Sequence, residues 1–116
     1  MDKYFIKAIL LEDCSYSNSA YQLIKTHQLP AEITWINQLN KENYKTDQIN
    51  TFPQIYLKKI NSNGNLLLGE YQELENSINT FYGQKISEPN ISDWMNKTSW
   101  SKKLTLRLIQ LINKIN

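Results

Sequence analysis

Hydrophobic positions along the chain fall into short blocks of different period. Tyr4-Phe5-Ile6-Lys7-Ala8-Ile9-Leu10-Leu11 is a nearly unbroken apolar run, the pattern of a strand covered on both faces and therefore central in its sheet. From Ser15 to Gln28 the period lengthens. Tyr16, Ala20, Tyr21, Leu23 and Ile24 then fit an amphipathic helix that ends at His27 and Pro30. Glu32 to Ile36 reads as a second strand and Lys41 to Asp47 as a short helix. Pro53 to Ile60 reads as a third strand, with Ile55 and Leu57 on one side and Tyr56 and Lys58 on the other. Asn61-Ser62-Asn63-Gly64-Asn65 is rich in residues that tolerate positive φ, so Leu66-Leu67-Leu68 returns as an antiparallel partner and Gly69 closes the hairpin. Glu70 to Tyr82 repeats apolar residues at Leu74, Ile78 and Phe81, a further helix.

The tail follows a different plan. A linker containing Pro89 is expected to lead through Ile91 and Trp94 to a basic helix from about Ser99 to Ile115. Trp100, Leu104, Leu108, Leu111, Ile112 and Ile115 form its apolar stripe, and Lys103, Arg107, Gln110 and Lys114 lie on another face. The stripe is expected to pack on the domain or on a second copy of the chain. The alternative is a docking helix for an acidic partner or a membrane surface.

A length of 116 residues suits one compact domain and one core. The chain divides at a change of charge. Residues 1–83 carry seven Lys against nine Asp and Glu (net −2), whereas 84–116 carry six Lys and Arg against two acids (net +4). With an overall balance of only +2 and no aromatic-basic platform, nucleic acid is not an expected partner. The apolar run Phe5 to Leu11 is interrupted by Lys7 and is less than half of the ~20 residues that span a bilayer.

Cys14 is the only cysteine, placed where the first strand gives way to the first helix at Ser15-Tyr16-Ser17. A sulfur there lies beside unpaired backbone N–H groups and the positive end of a helix dipole, which favour thiolate over thiol. Glu12 and Asp13 oppose that effect with two negative charges. One cysteine cannot close an intramolecular disulfide, which points to a reducing compartment, the cytoplasm by default, or to pairing with another molecule. The alternative reading of Cys14 is a small buried hydrophobe, and that of Ser15 and Ser17 is helix-start residues. Tyr16 is either a ring beside the sulfur or a core residue. His27, the only histidine, lies thirteen residues on and so nearly 20 Å along the helix, too far for a dyad with Cys14. One Cys and one His cannot make a four-ligand zinc centre, so no metal ligands are assigned.

Strand, helix, strand, helix, strand, strand, helix, with a thiol after the first strand and a proline opening the third, is a thioredoxin-like arrangement. The expected fold is therefore α/β, a four-stranded mixed sheet flanked by helices with an extra C-terminal helix. Within residues 3–82 the chain resembles the glutaredoxin family. Cys14-Ser15-Tyr16-Ser17 is similar to that family's Cys-x-Tyr-Cys site in monothiol form, with Ser17 at the second cysteine position. Thr51-Phe52-Pro53 is similar to its Thr-Val-Pro, whose proline is cis, and Leu68-Gly69-Glu70-Tyr71-Gln72-Glu73-Leu74 to its Gly-Gly-x-Asp-Asp-Leu segment.

The resemblance implies a thiol-disulfide oxidoreductase. Cys14 would be the nucleophile and Ser17 its neighbour in the catalytic motif, with glutathione as co-substrate supplying the second thiol. Ser15, Tyr16, Thr51, Phe52, Pro53, Gly69, Gln72 and Glu73 would bind substrate, the Pro53 peptide by strand-like pairing. The implied partners are glutathione and a glutathionylated or disulfide-bonded protein. A non-catalytic binding module on the same fold is the alternative. A further one is a glutathione-dependent iron–sulfur cluster carrier; carriers usually have Gly-Phe where this chain has Ser15-Tyr16, so no cluster is expected. Other departures are Leu11 where the family commonly has lysine, Glu70 for the second glycine and Gln72 for the first aspartate. Lys45 is a candidate substitute for a basic residue found before the Thr-Val-Pro segment.

Overall fold

The computed structural model describes residues 4–82 and 87–113. Its elements are β1 (Tyr4–Leu11), α1 (Ser15–Thr26), β2 (Ala31–Ile36), β3 (Gln54–Lys59), β4 (Asn65–Gly69), α2 (Tyr71–Phe81), α3 (Glu88–Thr98) and α4 (Lys102–Asn113). A one-turn 3-10 helix at Lys41–Tyr44 stands where the longer helix Lys41 to Asp47 was expected. The strands are ordered β2-β1-β3-β4, with β1 parallel to β2 and antiparallel to β3, and β3 antiparallel to β4. This is the expected α/β, thioredoxin-like arrangement around a mixed four-stranded sheet.

The apolar run of β1 is explained by its place between β2 and β3. Ile6, Ala8 and Leu10 join Ile55, Leu57 and Leu68 in the main core, together with residues from all four helices, while Ile9 turns to the other face. That second face holds a smaller cluster of Ile9, Ile36, Ile49 and Tyr56, flanked by Leu11, Tyr44, Phe52 and Leu67. Period-two alternation in β3 accounts for the division: Ile55 and Leu57 face the helices, and Tyr56 faces the segment that carries the 3-10 turn. In the β3–β4 connection it is Asn61, at φ 63°, that takes the left-handed conformation.

The tail corrects one expectation. The segment read as a linker is helix α3, and Pro89 belongs to its first turn rather than to a loop. Pro is tolerated there because the first N–H groups of a helix have no intrahelical acceptor. Ser87 caps the start by accepting from the Asn90 N–H, and Ser99 ends the helix in the left-handed conformation at φ 62°. A second cap at Ser101, which accepts from the Leu104 N–H, starts α4 later than the expected Ser99. The apolar stripe packs inward: Trp100, Leu108, Leu111 and Ile112 are core residues, joined by Ile109, and α4 lies against β1 and α2. Residues 87–113 thus share a core with the sheet. The expected boundary at 83/84 and stripe position 115 lie outside the described residues.

Candidate functional site

Cys14 is the residue that opens α1. It has extended backbone (φ −112°, ψ 121°), its carbonyl accepts the first helical bond from the Asn18 N–H at 3.0 Å, and its side chain makes no capping bond. The turn before it is made by Asp13 in the left-handed region, φ 62°. Two bonds fix this turn to the sheet: the Glu12 N–H donates to the Ile36 carbonyl at 2.8 Å, and the Leu11 N–H to Ser17 Oγ at 3.0 Å. Ser17 is fully buried, so its oxygen ties the end of β1 to the first turn of α1. Cys14 is half-buried, Ser15 is exposed and Tyr16 is 64% exposed, which answers the question of Tyr16: it is not a core residue.

The Phe52–Pro53 peptide is cis. Its position relative to the thiol follows from register. Ile9 of β1 pairs antiparallel with Gln54 of β3, so the chain leaving β1 toward Cys14 and the chain entering β3 from Pro53 meet at the same end of the sheet. Pro53 is buried, Phe52 is half-buried against the smaller cluster, and Thr51 is exposed.

The α2 N-terminus completes this end of the molecule. Glu70 and Glu73 form a reciprocal capping box: the Glu70 carboxylate accepts from the Glu73 N–H, and Glu73 Oε1 accepts from the Glu70 N–H at 3.3 Å. The Thr51 hydroxyl also donates to the Glu70 carboxylate, joining the cis-proline loop to α2. Gly69 is required here. Its φ is +141°, and a Cβ would lie 2.5 Å from the Glu73 carboxylate oxygen. Helix N-termini attract anions because of their unpaired N–H groups and dipole. Here the chain's own Glu70 already occupies that position.

Two aromatic rings connect the helix starts, with the Tyr16 and Tyr71 centroids 6.0 Å apart. Tyr71 donates its hydroxyl to Glu75 at 2.7 Å, and that carboxylate raises the phenol above its ordinary value of 10.0. Gln72 instead runs along its own helix, donating to Asn76 Oδ1 at 3.1 Å. Thr51, Gly69, Glu70 and Glu73 line a cavity of 420 Å³ that also reaches Lys97, Thr98 and Trp100. The sequence-level site residues therefore form two groups. Cys14, Ser15, Tyr16 and Ser17 gather at the start of α1, and Thr51, Gly69 and Glu73 gather around Glu70, bridged to the first group by the tyrosine pair.

Several contributors escaped the sequence. Gln54 is fully buried, donates to the Tyr44 carbonyl at 2.9 Å and accepts from the Tyr56 hydroxyl at 3.0 Å, fixing the 3-10 turn to β3. Burial raises the Tyr56 phenol. Lys97 and Trp100 reach the site from the tail, and the apolar stripe was the one signal that brought Trp100 inward. Lys45, the candidate basic residue, is bound to Glu42 at 2.8 Å, which lowers that carboxyl. His27 caps the far end of α1, with Nδ1 3.1 Å from the Leu23 carbonyl. Among the described residues, no three His, Cys, Asp or Glu side chains come together to hold a metal, and no helix is long and apolar enough to cross a membrane.

No family model matches the chain, and neither the curated proteins nor the solved structures give a match.

Proposed function

We propose that the protein is a monothiol thiol-disulfide oxidoreductase of glutaredoxin type. The observation that carries this reading is a half-buried Cys14 opening α1, at the sheet end that also holds the cis Phe52–Pro53 peptide. Thiolate attack needs an accessible sulfur, a partner held in line and a leaving thiolate. In the proposed first step the Cys14 thiolate attacks the glutathione sulfur of a mixed disulfide. An S–S bond forms to Cys14, the old S–S bond breaks, and the substrate leaves as a thiolate that takes a proton from water. In the second step a glutathione thiolate attacks this new disulfide, releasing oxidised glutathione and restoring the Cys14 thiolate. Backbone groups beside Pro53 would align the substrate chain, Ser15 and Tyr16 would border the sulfur, and Ser17 would hold the turn through Leu11. A reducing compartment such as the cytoplasm suits this chemistry.

A second reading is favoured by one observation: Glu70 fills the α2 N-terminus that a glutathione carboxylate would approach. The protein would then hold a partner chain along the Pro53 peptide without exchanging thiols. Glutathione-dependent reduction of a glutathionylated peptide, compared between wild type and Cys14→Ser, separates the two. Turnover by wild type that the variant lacks supports exchange. Equal, background rates in both sink it.

A further inference from the structure

A second cavity, 620 Å³, lies between α2 and α3. It is lined by the amides of Asn76, Asn79 and Asn90, by Asp93 and by Trp94, and it shares Glu73, Lys97 and Thr98 with the 420 Å³ cavity beside Thr51. The two therefore meet along one groove, which begins two residues from Pro53 and runs outward between the helices. Three features bear on what would fit. Side-chain amides donate and accept, matching the alternating groups of an extended polypeptide backbone. Trp94 is only 6% exposed, its ring packs edge-on against Phe81 and Trp100, and its indole N–H is a buried donor without an acceptor among the described residues. The charged residues are Glu70, Glu73 and Asp93 against Lys97, so carboxylates outnumber ammonium groups three to one in a chain whose net charge is +2. Glu70 and Glu73 are held in the capping box, whereas Asp93 is exposed and has no ion-pair partner among the described residues.

We infer that this groove seats an extended, basic segment of polypeptide, with Asp93 reading its positive charge and the three asparagines its backbone. Together with the exchange reading at Cys14, it makes the substrate a protein with a basic stretch near its disulfide. The groove itself does not depend on that chemistry.

The test separates the two by using a probe with no sulfur: a short dye-labelled peptide of alternating lysine and serine, with a glutamate–serine peptide as counterpart, read by fluorescence anisotropy on the full chain. The basic peptide is expected to bind and the acidic one not. Asp93→Asn should weaken binding about two- to fivefold, the range of one exposed ion pair, and Asp93→Lys about tenfold. Added salt should weaken it further. Asp93 and Asn79 are exposed, so Asp93→Lys and Asn79→Ala should leave the circular dichroism unchanged. If Cys14 exchange operates, Asp93→Lys should raise KM for a basic peptide disulfide, leaving kcat and the rate with hydroxyethyl disulfide as they were. Equal binding of both peptides, indifference to Asp93→Lys, or loss of a self-associated dimer on that substitution would each overturn the inference. Peptide binding without thiol turnover would leave the groove standing and remove the enzyme.

Discussion

Replacing Glu70 with alanine perturbs two parts of the site at once. In the folded chain its carboxylate caps α2 at the Glu73 N–H and accepts from the Thr51 hydroxyl. Loss of a side-chain N-cap costs about 1 kcal/mol. The bond to Thr51, which is exposed, adds about 0.5 kcal/mol. The sum, about 1.5 kcal/mol, corresponds for a domain of this size to a fall in Tm of about 5–8 °C. Glu70→Gln keeps an acceptor and should lose less than half as much. The same substitution uncovers the α2 N-terminus and removes a carboxylate from the path of an incoming one. Two like charges about 4 Å apart in water repel by about 1 kcal/mol, so KM for glutathione should fall about fivefold in Glu70→Ala. Thermal unfolding followed by circular dichroism reads the first effect, and initial rates against glutathione concentration read the second. An unchanged Tm would refute the capping and Thr51 contacts. A glutathione KM that is unchanged or higher in a folded variant would refute the view that Glu70 occupies the glutathione side of the site.

Three other outcomes are expected. Ser17→Ala leaves the Leu11 N–H without its acceptor and should cost about 1–3 kcal/mol in urea unfolding; a change below a few tenths would mean the bond does not hold the Cys14 turn. Leu108→Ala, at a fully buried position of α4, should cost about 2–5 kcal/mol and keep a single transition. A separate early transition instead would show that the tail does not share the core. The stability that the Tyr71–Glu75 bond contributes is intact below pH 10.0, the ordinary phenol value, and is lost as pH rises through the raised folded value. Tyr71→Phe should therefore remove one late-ionising phenol from the absorbance titration at alkaline pH. An unaltered curve would count against the bond.

The sheet was legible in the sequence because its signals are local. The β1 run, the alternation of β3 and the polar turn at Asn61 each report the burial of their own residues, and the described strands agree with them to within one or two positions. What was lost is what depends on contacts between distant segments. Pro89 carries the same local signal in a loop as in the first turn of a helix, and only the burial of Ile91 and Trp94 against the core decides between them. Glu70 was visible as a departure from a glycine, but not as a group bound to Thr51 nineteen residues earlier. Gln54 reads as a polar strand residue, and its burial depends on the Tyr44 carbonyl. That the chain leaving β1 toward Cys14 and the Pro53 peptide lie at the same end of the sheet was foreseeable because it needs only the order of the strands and the antiparallel pairing of β1 with β3.

The central claim is that Cys14 forms the covalent intermediate. The direct measurement is intact-mass spectrometry of the reduced protein after brief exposure to oxidised glutathione, followed by peptide mapping. One glutathione attached through Cys14, removed by fresh glutathione and absent in Cys14→Ser, is the predicted result. A wild-type chain that stays unmodified while unfolded protein is labelled readily would contradict the claim.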